Sequence, residues 1–131
     1  GVSSFVDVDW GEEFPDRVAQ KVTVPIRRLD DLVAEPVDLM KIDVEGFEMN
    51  VLRGASGLLR NSPNLKLIVE NNPLTMRAAR AAGSEKQETV HGFLTGLGFK
   101  PFLITRDGKL APITDPSLLE RDLVDIFYTR S

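Results

Sequence analysis

"LMKIDVEGFEMNVLRGA", residues 39–55, decides the fold. Four residues of buried strand run into Asp43. Phe47, Val51, Leu52 and Ala55 then recur at the spacing of one helix face, which Leu58 and Leu59 extend until Asn61-Ser62-Pro63 ends it. The next apolar run, "LKLIVE" (65–70), is a second short strand. Strand, helix and strand in this order predict two parallel strands joined by a right-handed crossover. Both strands close on a carboxylate, Asp43 and Glu70, and a glycine among the acids Asp43, Glu45 and Glu48 asks what those acids do.

Working outward, "KVTVPI" (21–26) alternates β-branched and polar residues and predicts a half-buried strand ending near Pro25. "RLDDLVA" predicts a short helix carrying Leu29, Leu32 and Val33, stopped by Pro36. Residues 1–20 offer one apolar patch, "SSFVDV", and an acidic, turn-rich stretch, and are expected to be an irregular lead-in. Downstream, Asn72-Pro73 predicts the cap and first turn of an Ala-rich helix stopped by Gly83. Ser84 and Gln87 have capping-box spacing before a helix with Val90, Phe93, Leu94 and Leu97 inward and Gly98 at its end. "FKPFLIT" is a strand, Asp107-Gly108 a hairpin turn, Pro116–Arg121 a short helical turn, and "LVDIFYT" the last strand. The expected fold is α/β, with a mixed, mostly parallel sheet whose last strand is antiparallel.

The 131 residues make one domain, 1–131, with 42% apolar and 27% charged residues, as in ordinary globular protein. A net charge of −4 argues against nucleic acid as the partner, because phosphate binding needs a basic face. Cysteine is absent, which excludes disulfides, thiol nucleophiles and Cys-based zinc sites. No apolar run approaches the roughly 20 residues of a membrane helix, and no signal segment opens the chain. A cytoplasmic protein is expected, with no membrane partner. The first residue is Gly1, as expected of an excised or processed piece.

In an open parallel sheet, ligands bind outside the carboxyl ends of the strands. Asp43 and Glu70 should sit side by side on that rim. Taken singly, each acid has a structural reading: Asp43 as a turn acid, Glu45 as a helix-start acid favoured by exposed N–H groups, and Glu48 as a solvated helix residue. Two acids on adjacent strand ends, followed by Asn71 and Asn72, favour a functional rim.

"VTVPIRRLDDLV", "VDLMKIDVEGFEMNVLRGASGLL" and "LKLIVENNP" together resemble the FkbM family of S-adenosylmethionine-dependent methyltransferases over Val22 to Pro73, with "KIDVEG" as the specific core. "LGFKPFLI" and "DIFYT" are similar to the family's ending more loosely. The resemblance implies a class I, Rossmann-like methyltransferase fold and O-methylation of small molecules or sugars. It departs in one respect. Class I members hold the cofactor with a glycine-rich loop after the first strand and a ribose-binding acid after the second, and no stretch here matches either. The chain is therefore expected to be the C-terminal half of such a domain, inactive alone, with an upstream coding segment supplying the loop. Carried over by the resemblance, Asp43 is the candidate catalytic base and lies beside the cofactor, and Glu45 is catalytic on the acceptor side. Glu70, Asn71 and Asn72 form the substrate-binding wall.

Asp43, Glu70 and Asn71 are hard oxygen ligands that would suit Mg²⁺ or Ca²⁺ if they converged, although acids on a rim usually need no metal. His91 is the only histidine and has no second histidine in support; Ser3 and Ser4 lack a partner base; Trp10 and Tyr128 read as packing. "NNPL" lacks the second proline and the aromatic of the amino-methyltransferase motif. Two other readings remain: a non-catalytic remnant serving as an assembly module, and an α/β domain binding another ligand on this rim. The strand at Val37–Asp43 normally pairs with the first strand of the class I sheet, so its free edge is expected to pair two copies of the chain.

Overall fold

The computed structural model describes residues 20–82 and 88–131. The patch "SSFVDV", the acidic stretch after it, Gly83 and the Ser84–Gln87 capping box lie outside the described residues. The elements run α1 (Leu29–Leu32), β1 (Leu39–Ile42), α2 (Glu48–Gly54), α3 (Ser56–Asn61), β2 (Lys66–Asn71) and α4 (Pro73–Ala82). They continue with α5 (Val90–Gly96), β3 (Lys100–Ile104), β4 (Leu110–Pro112), a 3₁₀ helix (Pro116–Glu120) and β5 (Val124–Thr129). This is a mixed α/β fold with one five-stranded sheet in the order β1-β2-β5-β3-β4.

β1 and β2 are parallel, as the strand–helix–strand pattern predicts. β5 is antiparallel to both β2 and β3, so the last strand takes its predicted direction. The expectation of a mostly parallel sheet is corrected: among the described strands one pairing is parallel and the other three are antiparallel. Only β1–β2 has a helical crossover. β5 slots between β2 and β3, and β3–β4 is a hairpin, which can only be antiparallel. Gly108, at φ +78, supplies the left-handed position that this hairpin turn requires.

"KVTVPI" is not a strand. Val22 is 70% exposed, and Pro25 removes a donor that a ladder would use. The predicted single helix after Asp43 is two helices, broken at Ala55. At that break the Asp30 carboxylate accepts the N–H groups of Gly57 and Leu58, each at 2.9 Å, and so caps α3 from α1. Phe47, expected on the inner face, precedes α2 and is 46% exposed.

The core lies on the helix-covered face of the sheet. Ile42, Leu67, Val69, Ile126 and Tyr128 point to it and pack with Leu52, Ala55, Leu58, Leu59, Leu94 and Phe99. Each fully buried leucine contributes about 2 kcal/mol of apolar transfer, so this layer fixes where the ends of β1 and β2 stand. No helix among the described residues is long and apolar enough to cross a membrane.

Candidate functional site

Ile42 is in register with Val69, so the next residues, Asp43 and Glu70, stand side by side where the two parallel strands end. Their carboxyl groups hydrogen-bond. The Glu70 carboxyl is held above the usual glutamate range, first by the hydrogen bond with Asp43 and then by burial and the charges of Asp43, Asp125 and Glu48. Two adjacent carboxyls resist ionising together, which is why the neighbouring acid raises Glu70. Asp43 remains exposed at the rim.

The turn after Asp43 is tightly specified. Glu45 has φ +50 and Gly46 φ +103. A Cβ on Gly46 would lie 2.8 Å from the Thr75 carbonyl oxygen of α4, so only glycine allows this approach. Glu48, read from sequence as solvated, is 1% exposed. Its Oε2 accepts the Gly46 N–H at 2.9 Å and its Oε1 accepts the Val44 N–H at 3.4 Å. The buried carboxylate thus holds both sides of Glu45 and aims the loop that follows Asp43. Glu45 itself is exposed, with no part in capping α2, whose preceding residue is Phe47.

The two asparagines go elsewhere. Asn71, one residue beyond Glu70 on a strand, points to the opposite face, where its Nδ2 donates to the carbonyls of Leu119 (2.8 Å) and Asp122 (2.9 Å). Asn72 caps α4: its Oδ1 accepts the N–H groups of Leu74 (3.1 Å) and Thr75 (3.4 Å). With Asn71 turned away, the oxygen trio that would have suited a cation does not converge. Among the described residues no group of three His, Cys, Asp or Glu side chains is placed to hold a metal.

A methyl donor of nucleoside type needs backbone that it can approach closely. The described glycines do not offer it at this rim. Gly46 is filled by Thr75, while Gly54 and Gly57 face Arg28 and Asp30. Gly92 meets the Thr89 hydroxyl, and Gly96, Gly98 and Gly108 lie at a helix end and in the hairpin. The residues described do not fit such a cofactor by themselves.

Sequence reasoning found Asp43 and Glu70 but missed Glu48 and Asp30. The signal for Glu48 was a carboxylate two residues after a glycine, where a left-handed turn leaves N–H groups that need an acceptor. Asp30 gave no local signal, because the helix it caps begins 26 residues later at Ser56.

Residues 2–101 match the family model described as "Methyltransferase FkbM domain". No curated protein and no solved structure matches the chain.

Proposed function

Because the chain belongs to the FkbM methyltransferase family, we propose that the Asp43–Glu70 rim is the acceptor side of an O-methyltransferase acting on a small-molecule or sugar hydroxyl. The observation that carries this reading is the shared hydrogen bond between two carboxyls at the ends of adjacent parallel strands. Asp43, exposed and hydrogen-bonded to Glu70, accepts the proton of the acceptor hydroxyl, which raises the nucleophilicity of the oxygen. Glu45 lines the acceptor side on the turn that Glu48 fixes. S-adenosylmethionine, the donor typical of the family, supplies an electrophilic methyl group when bound. Its cradle, in this reading, belongs to residues other than those described.

β5 lying between β2 and β3, with β1, β2 and β3 running in one direction, supports reading the sheet as the C-terminal half of a class I, Rossmann-like sheet. The setting is cytoplasmic, and neither nucleic acid nor membrane is a partner.

The experiment is transfer of labelled methyl from S-adenosylmethionine to a panel of sugar and small-molecule hydroxyls, using this chain and any longer product of the same reading frame. Asp43→Asn should lower transfer by about 10²-fold or more without unfolding the protein. Transfer at the unaltered rate by that variant would remove Asp43 from the reaction. Calorimetry of the chain alone should show no micromolar binding of S-adenosylmethionine, which corresponds to about −8 kcal/mol.

One observation favours a second reading, an assembly module without catalysis. β1 has a neighbour on one side only among the described strands, and Leu39 on it is 63% exposed. Pairing of that edge with a second copy would serve such a role whether or not the rim is catalytic.

A further inference from the structure

Glu70 stands between two acids, one from each neighbouring strand. On its β1 side is Asp43, to which it is hydrogen-bonded. On its β5 side is Asp125, its direct register partner in the antiparallel β2–β5 pair. Val69 and Ile126 are buried in the core, so the next residue on β2 and the preceding one on β5, Glu70 and Asp125, turn to the sheet's other face. One step down that face, Ile68 and Phe127 are in register and half-buried, an apolar floor that screens charge less than water does.

The Glu70–Asp125 pairing brings no structural gain. Residues directly opposite in an antiparallel pair have Cβ atoms about 5 Å apart, and like charges there are destabilising. Asp125 is exposed, and among the described residues no hydrogen bond or ion pair engages its carboxylate. After the Asp43 hydrogen bond and burial, the influences on Glu70 are the charges of Asp43, Asp125 and Glu48, all negative. Glu48 differs from Asp125, because the Gly46 and Val44 N–H groups occupy its carboxylate. Asp125 is also placed unequally. Neighbouring strands lie about 4.8 Å apart, so it is one strand from Glu70 and two from Asp43. Its repulsion falls mainly on Glu70.

We propose that Asp125 is a positioning residue of the rim: its charge, directly across from Glu70, biases the Asp43–Glu70 pair toward carrying its negative charge on Asp43. Two carboxyls joined by a hydrogen bond are close to equivalent, and either could serve as the base. A third carboxylate on one flank removes that equivalence, because a second negative charge is disfavoured more on the nearer group. Asp125 thus acts through Glu70 and fixes which acid meets the acceptor hydroxyl. The inference rests on the reading of the rim as an acid–base site, but the action of Asp125 on Glu70 is measurable without methyl transfer.

The test follows the carboxyl ¹³C resonances of Glu70 and Asp43 against pH in the unaltered chain, Asp125→Asn and Asp125→Glu. Asp125→Asn should lower the Glu70 midpoint by about 0.2–0.7 of a pH unit, the worth of one cross-strand charge pair. The Asp43 midpoint should move less. Asp125→Glu, which keeps the charge, should restore the Glu70 midpoint, and about 1 M salt should shrink the difference between Asp125→Asn and the unaltered chain. Urea unfolding near pH 7 should find Asp125→Asn no less stable, since a repulsion has gone. An unmoved Glu70 midpoint in Asp125→Asn, or Asp43 moving as far as Glu70, would overturn the assignment, and a loss of stability would make Asp125 a structural residue. In a form that transfers methyl, the acid limb of the pH–rate profile should shift in Asp125→Asn. A profile that stays fixed while Glu70 moves would support the action of Asp125 on Glu70 and overturn the catalytic reading of the rim.

Discussion

Glu70 and Asp43, the residues that follow the paired Val69 and Ile42, hydrogen-bond to each other through their carboxyl groups where two parallel strands end. The rest of the rim is arranged around this contact. It holds the Glu70 carboxyl above the usual glutamate range, and Asp43 stays exposed beside it.

The pair makes stability depend on pH in a defined direction. The folded value of Glu70 is raised, so its contribution is full below the ordinary glutamate range and is lost as pH rises through that range toward the folded value. Glu70→Gln, which keeps a donor toward Asp43, should match the unaltered protein in urea unfolding near pH 4 and exceed it near pH 7.5. An equal gap at both pH values would show that the two acids do not share a proton.

Glu48 has a larger structural role than its neighbours. Glu48→Ala removes the acceptor of two turn N–H groups and empties a buried site, and should cost about 2–3 kcal/mol. Glu48→Gln, which keeps one acceptor oxygen, should cost less. Chemical denaturation of the three proteins ranks them, and a Glu48→Ala loss below about 0.5 kcal/mol would mean the turn holds itself.

Asp30 links α1 to the start of α3. Burial alone would raise its carboxyl, but the Gly57 and Leu58 N–H groups, with Arg28 and Arg60 nearby, hold it below the usual aspartate range. Its stabilisation is therefore present above the ordinary aspartate value and lost as pH falls through the lower folded one. Asp30→Ala should cost about 1–2 kcal/mol at neutral pH, the loss of a helix cap, and the cost should shrink in acid. Thermal melts at pH 7 and in strong acid test both parts.

β1 should mediate self-association. The Asp38 carbonyl accepts from the Lys66 N–H, so the alternating N–H groups of Leu39 and Lys41 turn to the other side of the strand. Edges of this kind recruit another strand, and the exposed Lys41 is a single guarding charge. Light scattering over a concentration series should show dimers that Lys41→Pro, which deletes an outward donor, dissociates. A monomer at every concentration would refute the pairing.

What was legible in the sequence was what is local and periodic. The apolar runs at 39–42 and 66–69 and the face of Leu52, Ala55, Leu58 and Leu59 gave the parallel unit, and with it the meeting of Asp43 and Glu70. The strand order was not legible, because β5 pairs with β2 and β3 across long sequence separations that no spacing records. "KVTVPI" has strand composition yet forms no strand, and strand propensity without a ladder to join does not make one. In the candidate site, the directions of Asn71 and Asn72 depended on Leu119, Asp122 and the start of α4, none of which their own residue types reveal.

The central claim is that Asp43 and Glu70 act as one acid–base pair. Carboxyl ¹³C NMR of Glu70 across pH 2–8 tests it most directly. The account expects Glu70 to titrate above the ordinary glutamate range and to move back toward it in Asp43→Asn. A Glu70 that titrates in the ordinary range, or that is unmoved by Asp43→Asn, would contradict it.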